Sequence, residues 1–328
     1  MARSLSHRRV IIVGAGHSGL ATATALRSSG LEPQKDFVII DSAPPGQRSW
    51  ATRWHSMKLR SAARHSVVRG FPFPGDGDRH PSGGEMSDYL SSVEKALGVK
   101  TVWGTRALGV TRLGDGSTLH LSTSAGEVQT RNVVCATGAA AVPRIPGWRR
   151  ELAVPGVVLH SSQYLYPAQI PPGRVLIVGG GYSGVEIAEE LASSHDVTLA
   201  TRAAPPRVSE RSVWSRLRLK DPKPEARPRV DSPDVTHATA VTDVHGDTVI
   251  FADGASMKPH SVILATGYRP ADAWLPDSEP PGQPLHVSAR IPGLFSVGMP
   301  RYSRADADTL AGAGRDAATV ARLIVGRP

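Results

Sequence analysis

The chain has 328 residues, 38 Lys and Arg against 29 Asp and Glu for a formal net charge of +9, and a single cysteine, Cys135. That length allows two domains and a sizeable core, while one thiol excludes an internal disulfide and the paired-thiol chemistry of disulfide reductases. No apolar stretch approaches the roughly 20 residues of a membrane helix, and the apolar run in the start MARSLSHRRVIIVG is too short for a secretory signal, so the expected setting is cytoplasmic, with no membrane partner.

The first predicted element is a buried parallel strand, Val10-Ile11-Ile12-Val13. It runs into Gly14-x-Gly16-x-x-Gly19, which opens an alanine-rich helix from about Gly19 to Ser28, with Gly30 as its stop. The spacing has a physical reason: Gly14 allows the tight turn, Gly16 lets backbone approach a pyrophosphate, and Gly19 lets helix and strand pack closely. The helix N-terminus, with His17 and Ser18 in its first turn, offers N–H groups and partial positive charge to phosphates. A second strand, residues 36–40, ends at Asp41, about 20 residues beyond the last glycine, where a carboxylate holds an adenosine ribose hydroxyl.

The same grammar returns at Arg174-Val-Leu-Ile-Val178, followed by Gly179-Gly180-Gly181-Tyr182-Ser183-Gly184 and a helix over Val185–Leu191. Its next strand, Val197–Ala200, leads to Thr201-Arg202 where the first unit has an aspartate. An arginine there suits a ribose 2′-phosphate, which a carboxylate would repel. The first site therefore reads as FAD and the second as NADPH.

Two further strands end alike, in Ala136-Thr137-Gly138 and Ala265-Thr266-Gly267, each preceded by antiparallel strands with turn signals at 114–116 and 253–254. An Ala-Thr-Gly at a strand end lets the main chain pass beside a cofactor with no side chain in the way. Prolines between 143 and 172 mark a linker. The expected fold is α/β with two Rossmann-like domains, the NADPH domain (151–268) inserted into an FAD domain made of residues 1–150 and 269–328. The return segment ends in a strand, Leu294–Gly298, and a last helix from about Asp308 to Ile324. Leu310, Ala317, Val320 and Ile324 form its apolar stripe, and its N-terminus is expected to face the flavin ring.

The stretch 202–229 holds nine Lys or Arg against three acids, with five prolines. Trp214 is its only aromatic and no nucleic-acid motif is present, so it reads as a solvated loop beside the NADPH phosphates and no nucleic-acid partner is expected. The 12 histidines are scattered and no spacing suggests a metal site.

With these residues in view, the chain resembles the class B flavoprotein monooxygenases, the group of flavin-containing monooxygenases and Baeyer–Villiger enzymes. The identifying motif of that family is F-x-G-x-x-x-H-x-x-x followed by Tyr or Phe in the N- and S-oxygenating branch and Trp in the Baeyer–Villiger branch. Here Gly156, His160 and Tyr164 match the first branch, while Val154 replaces the phenylalanine. The resemblance implies a hinge or supporting role for His160, a place for Trp50 against the isoalloxazine, and Trp54 and Leu59 as substrate-pocket candidates. The chain departs from the family at Gly46-Gln47-Arg48-Ser49-Trp50, which lacks the usual paired glycines, at Ser61-Ala62-Ala63-Arg64, which lacks an asparagine, and at Tyr182, where many members have Asn or Gln.

The resemblance implies that NADPH reduces FAD, that molecular oxygen adds as a C4a-hydroperoxyflavin, and that one oxygen atom passes to nitrogen or sulfur of a small-molecule substrate. The cofactors carry the chemistry, so no catalytic side chain is nominated. The lacking asparagine and paired glycines keep an NADPH oxidase or reductase releasing peroxide open. Baeyer–Villiger oxygenation and a redox-inert nucleotide sensor stay open as well. The chain is short for the family, so its pocket is expected to be open or completed by a second subunit, as in a homodimer.

Overall fold

The computed structural model describes residues 5–112, 118–202, 230, 232–276 and 284–327. The expected turn at 114–116 and the basic stretch 203–229 lie outside the described residues. The chain forms two compact units, Met1–Val142 with Tyr268–Pro328, and Pro143–Gly267.

The first unit begins with β1 (Arg8–Val13), α1 (His17–Ser28) and β2 (Phe37–Ile40). The two strands run parallel, with Val10 opposite Phe37 and Val13 opposite Ile40. Residues 10–13 and all of β2 are buried, as expected of parallel strands covered on both faces. The helix starts two residues earlier than its alanine pattern suggested, because Gly16 is extended and serves as N-cap. After it comes α2 (Gly83–Leu97), started by a capping box in which Ser82 and Glu85 each accept the other's backbone N–H. A meander follows, β3 (Ala107–Arg112), β4 (Leu119–Thr123) and β5 (Gly126–Cys135), whose last strand lies parallel to β1.

The second unit is built on a parallel sheet. Its elements are β6 (Val158–His160), β7 (Arg174–Val178), α3 (Tyr182–Ala192), β8 (Asp196–Ala200), β9 (Val235–Ala238), a three-stranded antiparallel piece of β10 (Val241–His245), β11 (Thr248–Phe251) and β12 (Ser256–Met257), and finally β13 (Ser261–Leu264). The five parallel strands are ordered β9-β8-β7-β13-β6. One core cluster joins Leu176, Val178, Val262 and Leu264 of the sheet to Val244, Val249 and Phe251 of the antiparallel piece, and Leu152 and Trp148 pack into it from the segment ahead of β6.

The chain then returns to the first unit with β14 (Leu294–Ser296), which pairs with the upper half of β5 as Leu294 opposite Val133, and with α4 (Leu310–Val325), which packs on α1. The helix begins at Leu310 because the Thr309 hydroxyl caps it, accepting the Gly312 N–H at 3.0 Å. Ala317, Val320 and Ile324 are buried in the core, as the stripe predicts, and Leu310 packs at its edge. Arg9 closes the other end, donating to the carbonyls of Ile324 at 2.9 Å and Arg327 at 3.1 Å. Both units thus carry the strand, glycine loop, helix and parallel strand of a Rossmann-like fold. Among the described residues no helix is long and apolar enough to cross a membrane.

Candidate functional site: two dinucleotide loops

In the first unit the glycine loop joins the buried end of β1 to α1. Gly14 has φ +113°, and a Cβ there would stand 2.4 Å from the Ala136 carbonyl oxygen of the first Ala-Thr-Gly. A Cβ on Gly19 would stand 1.9 Å from the Gly14 oxygen, whereas one on Gly16 would meet nothing within 4 Å. Two glycines are thus demanded by the protein's own packing. The third leaves a free approach to the backbone at the start of a helix that has neither a side-chain cap nor an acid in its first turn. Such an end keeps backbone N–H groups and partial positive charge open to an anion.

Asp41 follows β2 directly. One carboxylate oxygen accepts the Ala15 N–H at 2.7 Å and the other accepts the Ala43 N–H at 2.8 Å. A carboxylate has about four lone-pair sites, so each oxygen keeps capacity for a hydroxyl. Ser18 lies against the return segment: a Cβ on Gly298 would be 2.2 Å from the Ser18 hydroxyl. His17 is 6 % exposed, its Nε2 lies 3.4 Å from the Val67 carbonyl, and its Nδ1 has no partner among the described residues. Burial lowers its pKa from the ordinary 6.5 to about 4, so the imidazole is neutral at physiological pH. An orphaned buried nitrogen beside an uncapped helix end fits a bound polar group.

Other residues singled out from the sequence lie in the same unit. Thr137 donates its hydroxyl to the Ala271 carbonyl at 2.8 Å, and Gly138 follows with open space beside it. Trp50 is half-buried, Trp54 is buried, and Leu59 belongs to the first unit's core cluster.

The loop of the second unit repeats this geometry. Gly179 has φ +120°, with a Cβ site 2.2 Å from the Ala265 oxygen; that of Gly184 is 1.8 Å from the Gly179 oxygen; Gly181 faces open space and caps α3 without a side chain. Tyr182 and Ser183 are half-buried in the first turn of α3. Thr201 takes the place of Asp41 after its strand, with its methyl 2.7 Å from where a Gly180 Cβ would be, and Arg202 is exposed. Thr266 donates to the Arg144 carbonyl at 2.5 Å, and Gly267 ends the unit.

The three motif residues are fastened within the second unit. A Cβ on Gly156 would collide with the Ser261 hydroxyl at 2.3 Å and the His260 oxygen at 2.7 Å, so the motif can lie against β13 only through glycine. The ring of His160, 2 % exposed, has Nε2 3.1 Å from the Gly267 carbonyl and Nδ1 3.0 Å from the Ser162 hydroxyl. Tyr164 is fully buried and donates to Glu190 on α3 at 2.8 Å; burial, reinforced by that carboxylate, holds its phenol well above the usual range. These contacts make the motif a brace between β6, β13 and α3.

Sequence reasoning passed over three groups. Asp316 is 7 % exposed on the buried face of α4, where it accepts the Ser303 hydroxyl at 2.8 Å and reaches the Gly298 N–H at 3.4 Å; burial raises its pKa. Its place one residue before Ala317, in register with the apolar stripe, was the available signal. Arg48, only 4 % exposed, touches the first loop itself. The exposed side chains of Glu151, Asp243 and His245 come within 4.8 Å of one another although no sequence spacing links the first to the other two.

A family model described as pyridine nucleotide-disulphide oxidoreductase matches residues 11–298. Over 349 residues the chain is 28 % identical to an uncharacterized oxidoreductase, CzcO, of Bacillus velezensis, covering 96 % of this chain and 99 % of that protein. It is 26 % identical over 383 residues to the probable indole-3-pyruvate monooxygenase YUCCA9 of Arabidopsis thaliana, covering 96 % and 88 %. Among solved structures, a flavin-containing monooxygenase from Stenotrophomonas maltophilia superposes with a TM-score of 0.77 at 27 % identity, covering 97 % of this chain and 98 % of that one.

Proposed function

The chain belongs to the pyridine nucleotide-disulphide oxidoreductase family, and we propose that within it this protein is an NADPH-dependent flavin monooxygenase oxygenating nitrogen or sulfur of a small molecule. An enzyme of flavin monooxygenase type is what its full-length relatives and structural neighbour support. The paired-thiol chemistry of disulfide reductases needs two cysteines, whereas Cys135 is the one cysteine here and is buried, with its thiol pushed up to about 11 by burial.

The observation that carries the reading is the contrast at the two ribose positions. Asp41 offers the first loop a carboxylate, which suits the free ribose hydroxyls of FAD. Thr201 and exposed Arg202 offer the second a hydroxyl and a cation, which suit the 2′-phosphate of NADPH. FAD, reduced by NADPH, would supply the oxygen-activating chemistry. The chain's own part is to bind and orient: Gly16 and Gly181 open the two helix N-termini to phosphate, and His17 stands beside the first as a neutral donor or acceptor.

A second reading, an oxidase releasing peroxide, is favoured by the stretch Ser61-Ala62-Ala63-Arg64, which has no asparagine; there Ala63 is buried and Ser61 bonds to Ser66 nearby. The test is NADPH turnover with an amine or sulfide under isotopically labelled dioxygen. One labelled oxygen in the product per NADPH is expected. NADPH consumption balanced by peroxide, with unlabelled substrate returned, would overturn the monooxygenase reading in favour of the oxidase.

A further inference from the structure

Arg48 is among the most buried charged residues described. It is held on every side. Its Nη1 donates to the Ser91 hydroxyl at 3.0 Å, its Nη2 pairs with Glu94 on α2, and the Trp103 ring lies 4.9 Å from the guanidinium carbon. Glu94 is itself fixed, accepting the Thr101 N–H at 3.0 Å. The remaining contact points at the first dinucleotide loop: Nε donates to the Ala15 carbonyl at 3.0 Å.

That last bond has a geometric consequence. The Ala15–Gly16 peptide is planar and trans, so its C=O and N–H point in opposite directions. Holding the Ala15 oxygen toward Arg48 turns the Gly16 N–H away from it. The preceding peptide is fixed as well, since the Ala15 N–H is bound by Asp41 at 2.7 Å. Both peptides around Ala15 are therefore set by side chains, one anionic and one cationic. A cation on the carbonyl also polarises the amide and makes its N–H a better donor.

We propose that Arg48 is a positioning residue for the cofactor pyrophosphate, locking the Ala15 carbonyl so that the Gly16 N–H is presented to the phosphates. The inference rests on the first loop being the FAD site.

The rival is an Arg48–Glu94 pair that merely ties the segment to α2. Two variants separate them. Arg48→Lys keeps the charge facing Glu94 but has no Nε–H for Ala15, and the double variant Arg48→Met with Glu94→Gln removes both charges so that none is buried alone. FAD is titrated into flavin-free protein by fluorescence quenching, with thermal stability and NADPH affinity measured in parallel. Both variants are expected to bind FAD about 10- to 100-fold more weakly, as for a lost hydrogen bond to a charged group, with NADPH affinity unchanged and Arg48→Lys still folded at the temperature of the titration. FAD affinity within about threefold of wild type in Arg48→Lys overturns the proposal in favour of the simple tie, whether or not the double variant folds. Failure of the wild-type protein to take FAD overturns the reading of the first loop and the inference with it.

Discussion

The two glycine loops are near copies in backbone and opposites in what surrounds them. Gly14 and Gly179 share a left-handed φ and the same closeness to the oxygen of an Ala-Thr-Gly alanine, and Gly19 and Gly184 press equally on their own loop. Around them, the first loop is gripped by Asp41 and Arg48 through both peptides of Ala15, while the second has Gly180 in that position, with the methyl of Thr201 against it. On the reading proposed above, glycine geometry provides for a dinucleotide and the residue after the second strand selects which one.

The largest effects are expected at the glycines. A valine at 14 or 179 would take a conformation foreign to a β-branched residue and drive its Cβ into a carbonyl at 2.4 or 2.2 Å. Gly14→Val is expected to yield protein without bound flavin. Gly179→Val is expected to keep its flavin spectrum while losing reduction by NADPH, a fall in rate of two orders of magnitude or more, read by anaerobic absorbance. Equal loss of flavin in both would show that the loops do not serve separate nucleotides.

Next in size is a pH effect confined to the first loop. His17 takes a proton near pH 6.5 when unfolded and only near 4 when folded. Between those values the unfolded chain binds more protons, so stability falls on acidification, by up to about 3 kcal/mol, and levels off below pH 4. Urea unfolding of flavin-free protein should show this slope, and His17→Gln should reduce it, leaving the part due to His286, whose pKa burial also lowers; an unchanged slope in that variant would remove His17 as the cause.

How much of this was legible follows the same division. Parallel strands announce themselves as unbroken apolar runs, so Val10–Val13, Phe37–Ile40 and Arg174–Val178 could be read directly, and glycine spacing placed both loops. Asp41 could be read because its distance from the loop is set by one helix and one strand. Arg48, Asp316 and Glu190 could not, because a charge is presumed exposed until its partners are known, and those partners lie far along the chain: Glu94 for Arg48, the Gly298 N–H for Asp316, Tyr164 for Glu190. His160 was legible as a motif residue, but its bonds to Ser162 and Gly267 show a clamp at the end of β6, a role only the fold could reveal.

Nucleotide specificity is tested at the ribose positions. Asp41→Ala leaves the Ala15 and Ala43 N–H groups without their acceptor as well as removing the ribose contact, and should weaken FAD about 100-fold; Asp41→Asn keeps one acceptor oxygen and should cost about tenfold. Arg202→Ala should raise the KM for NADPH about tenfold and leave that for NADH unchanged, because an exposed arginine contributes only through the 2′-phosphate. A parallel rise for both nucleotides would mean that Arg202 does not read that phosphate.

The smallest expected effect concerns the brace rather than the loops. Tyr164→Phe deletes a hydroxyl whose bond to Glu190 ties the motif to the helix behind the second loop, while leaving the buried ring in place. Losing one such bond to a carboxylate should cost about 1 to 2 kcal/mol of stability. If the motif acts only as a brace, this loss appears in thermal unfolding while the rate of reduction at saturating NADPH stays within about twofold of wild type. A large fall in that rate with unchanged stability would assign Tyr164 to the reaction itself. The difference matters because Glu190 lies on the same helix whose first turn is proposed to face the NADPH phosphates, so a brace there sets where that turn points and a catalytic group would not need to.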